Sequence, residues 1–212
     1  MNLKISCKTF SDLVTSTKEL LTDVNLSVTA EGLTMQSMDT AHVALCMLNL
    51  PSACFTQFEV DETYVIGVNM ATLSMALNCL DLGAELLLQY VDEELHLSTD
   101  GDRGPRSLVL HTMEIGAEIL DIPLSEPKGV VELDSRDFAS LCLDSLKLGE
   151  DGCFNLKEST LEIETSGDLG AANFSIVANE RNKVFNRGYD EKVRFNWKYL
   201  SSFSKAKVSA PR

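Results

Sequence analysis

A chain that repeats itself at a fixed interval folds as copies of one unit, and this 212-residue chain does so once. Phe138-x-x-Leu141-Cys142 follows Phe10-x-x-Leu13-Val14 at an offset of 128 residues. Leu161 falls 128 residues after Leu33, each within a strand-like run behind a loop. Asn196-x-x-x-Leu200-Ser201 follows Asn69-x-x-x-Leu73-Ser74 at an offset of 127. Three matches in one order at nearly one spacing point to two copies of a helix–strand unit.

Periodicity fills in that unit. Asn2–Ser6 alternates as a strand, and 8–24 carries Phe10, Leu13, Val14, Leu20 and Leu21 at helical spacing. Strands are predicted over 26–30, 33–38, 42–50 and 59–66, then a helix over 70–80 behind Asn69 as its N-cap. Strands over 85–91, 95–99 and 107–115 complete the first copy, with Asp100 to Pro105 as a loop. Residues 116–129 hold prolines and acidic residues without periodicity and read as an extended connector between domains 1–115 and 130–212. The expected class is α+β: two similar domains, each with helices on one face of antiparallel sheets. In the second copy the helix over 197–207 is followed by five residues only, so its last three strands are expected to be missing and the sequence to be a fragment.

Composition narrows the function. No apolar run approaches the roughly 20 residues that span a bilayer, so no membrane partner is expected, and the N-terminus lacks a signal-peptide core. Six scattered cysteines without a C-x-x-C pair read as reduced core residues. A net charge of −14 excludes a protein that coats nucleic acid with its whole surface, though not a local basic stripe. Glycine-rich phosphate loops, nucleophile elbows and paired metal-spaced histidines are missing, while His42, His96 and His111 are isolated in predicted strands. Neither catalysis nor a cofactor is expected.

One stretch carries more than pattern. Gly32 to Leu50, GLTMQSMDTAHVALCMLNL, runs a strand into a polar corner and out into a second, mostly apolar strand. Its wording resembles the QSMD-x-x-HV segment of the eukaryotic DNA sliding clamps, the proliferating cell nuclear antigen family. Gly67-Val68-Asn69, Leu120-Asp121-Ile122-Pro123, Asp134 to Cys142, Ser166 to Asn173 and Tyr199 to Ala206 resemble clamp segments in the same order. The resemblance covers almost the whole chain.

That resemblance implies a head-to-tail ring of three subunits around double-stranded DNA, held without sequence preference. Polymerase and other clients would dock by short peptide motifs, a clamp loader would open the ring, and the location would be nuclear. Met38, His42, Val43 and Leu45 would form one wall of the client pocket, and Leu120, Ile122 and Pro123 the other. The subunit contact would pair the strand holding Arg106, Leu108 and Leu110 with the one holding Leu169, Ala172, Phe174, Ser175 and Ile176. Lys18, Lys147, Lys198 and Lys205 would face DNA.

The chain also departs from the family. Ser11, Asp12, Met75, Asn78, Ser140 and Leu143 stand where the family often carries bases, and Glu59 to Asn78 holds no Lys or Arg. Glu158 stands at the family's modified lysine, with Lys157 one place earlier. Weak DNA contact is therefore expected. A divergent clamp paralogue, or an incomplete clamp that binds client peptides without encircling DNA, is the alternative reading.

Overall fold

Strand β1 (Asn2–Ser6) alternates, with Leu3 and Ile5 buried, and Ser6 then caps helix α1 (Cys7–Thr17) by accepting the Thr9 N–H. The computed structural model of the chain describes residues 1–116, 119–122, 126–189 and 191–205. They divide into one unit ending at Leu120 and a second beginning at Asp121.

In the first unit, α1 stops at Thr17 rather than continuing to residue 24. The Thr17 carbonyl accepts both the Leu20 and Leu21 amides, closing the helix in a turn. Leu20 and Leu21 are buried all the same, so their helical spacing reflected core placement, not helix length. Strands β2 (Asp23–Thr29), β3 (Gly32–Met38) and β4 (Leu45–Pro51) follow. The run expected over 59–66 is two strands, β5 (Gln57–Glu59) and β6 (Tyr64–Asn69), which belong to different sheets. Asn69 caps α2 (Met70–Cys79) as expected, accepting the Thr72 N–H at 3.0 Å. Strands β7 (Glu85–Val91), β8 (Glu94–Gly101) and β9 (Gly104–His111) close the unit. The β7–β8 turn places Asp92 and Glu93 in the left-handed region (φ 51° and 63°), the twist a two-residue hairpin requires. The segment expected as a 100–105 loop is instead a tight turn, because β8 and β9 pair as far as Gly101 and Gly104.

The strands form two antiparallel sheets, ordered β4-β3-β2-β6 and β5-β1-β7-β8-β9. The chain leaving β9 returns to the first sheet: the Met113 N–H donates to the Gly67 carbonyl, and Asn25 Nδ2 to that of Ile115. A side chain at position 67 would collide with the Met113 carbonyl, its Cβ lying only 2.0 Å from that oxygen. Glycine is required there by close approach.

The second unit repeats the order with β10 (Gly129–Glu132), α3 (Ser135–Leu146), β11 (Asp151–Leu156), β12 (Thr160–Gly167), β13 (Gly170–Val177), β14 (Lys183–Asn186), β15 (Lys192–Asn196) and α4 (Trp197–Phe203). Its sheets are β13-β12-β11-β15 and the pair β10-β14. These match β4-β3-β2-β6 and β1-β5 strand for strand, which is the structural form of the repeat. Its core gathers Cys142, Leu161, Ile163 and Trp197, with Phe138, Phe154, Phe174 and Leu200 packed around them. Trp197 is fully buried, donates from Nε1 to Thr165 Oγ1 at 3.1 Å, and fits only because Gly152 beneath it has no side chain.

Candidate functional site

The corner between β3 and β4 is built around one buried carboxylate. Asp39 Oδ1 accepts the Val43 and Ala44 amides, both at 2.7 Å, and Oδ2 accepts that of Ala41 at 3.1 Å. The Asp39 amide donates to the Ala44 carbonyl, and the His42 amide to the Asp39 carbonyl. His42 is held in the left-handed region (φ 56°). These bonds take up the amides that a strand would use, so β4 begins at Leu45 rather than at His42, and His42 lies in the corner. Burial and the neighbouring Asp39 push up the Cys46 thiol pKa behind it.

A rigid polar turn therefore holds apolar groups outward. Val43 is 67% exposed, while Met38 and Leu45 are half-buried partners across the β3–β4 ladder. Gln36 grips the connector: its Nε2 donates to the Leu120 carbonyl at 2.9 Å and its Oε1 accepts the Leu120 amide at 2.7 Å. That pair of hydrogen bonds ties the Leu120 backbone to β3. Met47, opposite Gln36 in the ladder, is as exposed as Val43. Ile122, two residues beyond Leu120, is exposed, and Pro123 lies outside the described residues.

Sequence reasoning singled out Met38, His42, Val43, Leu45 and Leu120 but passed over Gln36, Asp39 and Met47. Asp39 was legible in principle, since Asp before a short polar run is an Asx-turn signal. Gln36 was not, because its partner is 84 residues away.

A second feature is the open sheet edges, of which β9 in the first unit and β13 in the second, eight residues each, are the longest among the described residues. Strand β9 pairs only with β8, and β13 only with β12. Along β9, Arg106, Leu108 and Leu110 are half-buried, and Ser107, Val109 and His111 are exposed. Arg106 Nη1 donates to the Cys79 carbonyl at 2.7 Å, placing a cation at the C-terminal end of α2, where the helix dipole favours it. Along β13, Ala172, Phe174 and Ile176 are half-buried, Ser175 is exposed, and Leu169 stands out at the β12–β13 turn. Phe174 and Ile176 pack on the second core, so the β13 edge is backed by it.

The helices carry the remaining expected residues. Lys18 Nζ donates to Ser74 Oγ at 3.2 Å, and Lys147 forms an ion pair with Asp144 at 2.8 Å. Lys198 is exposed without an ion partner among the described residues, and Lys205 is half-buried just past α4. Lys157 pairs with Glu162. The cysteines are all free, but Cys54 and Cys79 are exposed rather than core residues.

The described residues form a duplicated α+β chain with a shaped apolar corner and open sheet edges, β9 and β13 among them. Residues 4–100 match the N-terminal domain of proliferating cell nuclear antigen, and residues 121–212 match its C-terminal domain. The chain belongs to the proliferating cell nuclear antigen family. It is 28% identical over 205 residues to "Proliferating cell nuclear antigen 2" of Drosophila melanogaster, covering 94% of this chain and 80% of that one. To the "Probable DNA polymerase sliding clamp" of Autographa californica nuclear polyhedrosis virus it is 29% identical over 202 residues, with 94% and 79% covered.

Proposed function

We infer that the chain is a subunit of a DNA sliding clamp, a processivity factor in DNA replication and repair that tethers a polymerase and other clients to duplex DNA. Such work needs no bond-making: a closed ring keeps its passenger at high effective concentration along the duplex. The observation that carries this reading is the long open edge in each unit, β9 and β13. An eight-residue strand with one side unpaired is an aggregation hazard unless it has a partner. Two such edges on one chain let β9 of one subunit pair with β13 of the next, and three copies close a ring.

Arg106, Leu108 and Leu110 on one side, with Leu169, Ala172, Phe174, Ser175 and Ile176 on the other, form the proposed subunit contact. Clients dock on Met38, His42, Val43, Leu45 and Leu120, with Met47 enlarging the surface; Ile122 and Pro123 are included on the family resemblance. Lys18, Lys147, Lys198 and Lys205 are the proposed duplex contacts. A clamp loader and a nuclear location follow from the same reading.

The test is the edge. Ser175→Pro removes a backbone donor from β13 and stiffens it. Sedimentation equilibrium should show a three-subunit mass for the wild type and monomers for the variant, with circular dichroism unchanged. An oligomer distribution untouched by the substitution would remove the β9–β13 contact.

A further inference from the structure

The outward faces of the helices carry their own counter-charges. On α1, Lys8 Nζ lies 2.8 Å from Asp12 Oδ2, one turn along. At the C-terminal end of α3, the equivalent helix of the second unit, the capping residue Lys147 places Nζ 2.8 Å from Asp144 Oδ1. The Asp144 carboxyl is held below its usual range, first by the hydrogen bond from Lys147 and then by its charge. Helix α2 adds nothing to balance these, since its exposed residues Ala71, Thr72, Met75, Asn78 and Cys79 include no Lys, Arg, Asp or Glu. Lys18, Arg136 and Lys198 are helix-face cations without an ion partner among the described residues, Lys18 donating to Ser74 instead. Exposed ion pairs of this kind add at most about 1 kcal/mol to stability. Their consequence lies in the field they leave outside the helix: a paired ammonium offers a phosphate little, and its carboxylate repels it.

We propose that Asp12 and Asp144 set the strength of the grip on duplex DNA, each occupying a lysine one turn away that would otherwise neutralise a phosphate. This rests on the reading that the helices face the duplex. A phosphate that recruits Lys8 or Lys147 competes with a carboxylate already 2.8 Å away and is repelled by its charge, so the chain releases fewer counterions on binding than its count of helix-face bases allows. The grip stays shallow, which suits a ring that must slide.

Fluorescence anisotropy of a short linear duplex, followed across a salt series with the full chain, tests this. Asp12→Asn and Asp144→Asn should each tighten binding about threefold at low salt. Together they should steepen the slope of log affinity against log salt by up to about 1.8, or about 0.9 for each phosphate newly neutralised. Adding Lys8→Gln to the first and Lys147→Gln to the second should cancel the gain, because the freed ammonium is its cause. Thermal melts should be unchanged throughout. If Lys198→Glu weakens binding while the aspartate variants bind with wild-type affinity and slope, the proposal is wrong and the helix-face reading stands. If Lys198→Glu leaves binding untouched, the helices do not face the duplex and both fall.

Discussion

The two units share an order of elements but not a degree of closure. In the first, β1 lies between β5 and β7, and the meander β7-β8-β9 contributes Leu86, Leu88, Leu95 and Leu97, all at or near zero exposure. In the second, β10 pairs only with β14 among the described residues. Val131, Phe138, Phe154, Leu156, Phe195 and Leu200 there line an open groove of about 660 Å³. Most of the hydrophobic stabilisation therefore sits in the first unit, since the burial of apolar area is what drives folding. The β3–β4 connection differs as well. In the first unit it is the Asp39-centred corner, whereas its counterpart between β12 and β13 closes in the two residues Asp168 and Leu169. Among the described residues, the apolar corner proposed to dock clients is found in the first copy only. Edge β13 is the copy of β4, whereas β9 ends a meander with no counterpart among the described residues of the second unit, so the two edges are not duplicates of each other.

The largest expected effect lies in unfolding. Trp197 is the sole tryptophan and is buried in the second core, so its fluorescence reports that unit alone. With urea at low protein concentration, the fluorescence transition should precede most of the loss of far-ultraviolet dichroism. Cys142 should become open to alkylation before Cys7, two thiols that burial pushes up to about 11 in the folded state. Coincident transitions would mean the units fold as one, and the contrast in closure would lose its energetic meaning.

Next in size is the cost of truncating each core. Leu97→Ala in the closed unit should cost about 2–5 kcal/mol. Phe195→Ala, on the rim of the open groove, should cost under about 1.5 kcal/mol, because part of that ring is already in water. Denaturant midpoints would decide it, and equal losses would erase the distinction.

The smallest effect separates the two loops. Leu120→Ala should weaken a client-type peptide by about 1–2 kcal/mol, whereas Leu169→Ala, on the short turn of the other unit, should leave peptide binding alone. Calorimetric titration can read both. A loss at Leu169 equal to that at Leu120 would place the client surface elsewhere.

What was legible in the sequence is what the chain writes locally. Alternation marked the strands, Asn69 announced α2, and recurrence at a fixed offset exposed the duplication. Failures came where distant partners decide. Leu20 and Leu21 looked helical because they are buried, and the helix had already closed on the Thr17 carbonyl. The run 42–50 looked like one strand because nothing in its apolar pattern shows that Asp39 captures the Val43 and Ala44 amides. Gln36 bonds Leu120 across most of the first unit, and the free edges of β9 and β13 are known only once every other strand has its partner.

The claim that this chain encircles DNA is tested most directly by topology. The wild-type chain is loaded by a clamp loader onto a nicked circular duplex, and retention is followed by gel filtration at a salt that abolishes binding to linear duplex. One restriction cut is then made. The account predicts stable retention on the circle and complete release on linearisation, because a ring held only by topology slides off an open end. Equal retention before and after the cut, or none on the circle, would contradict it.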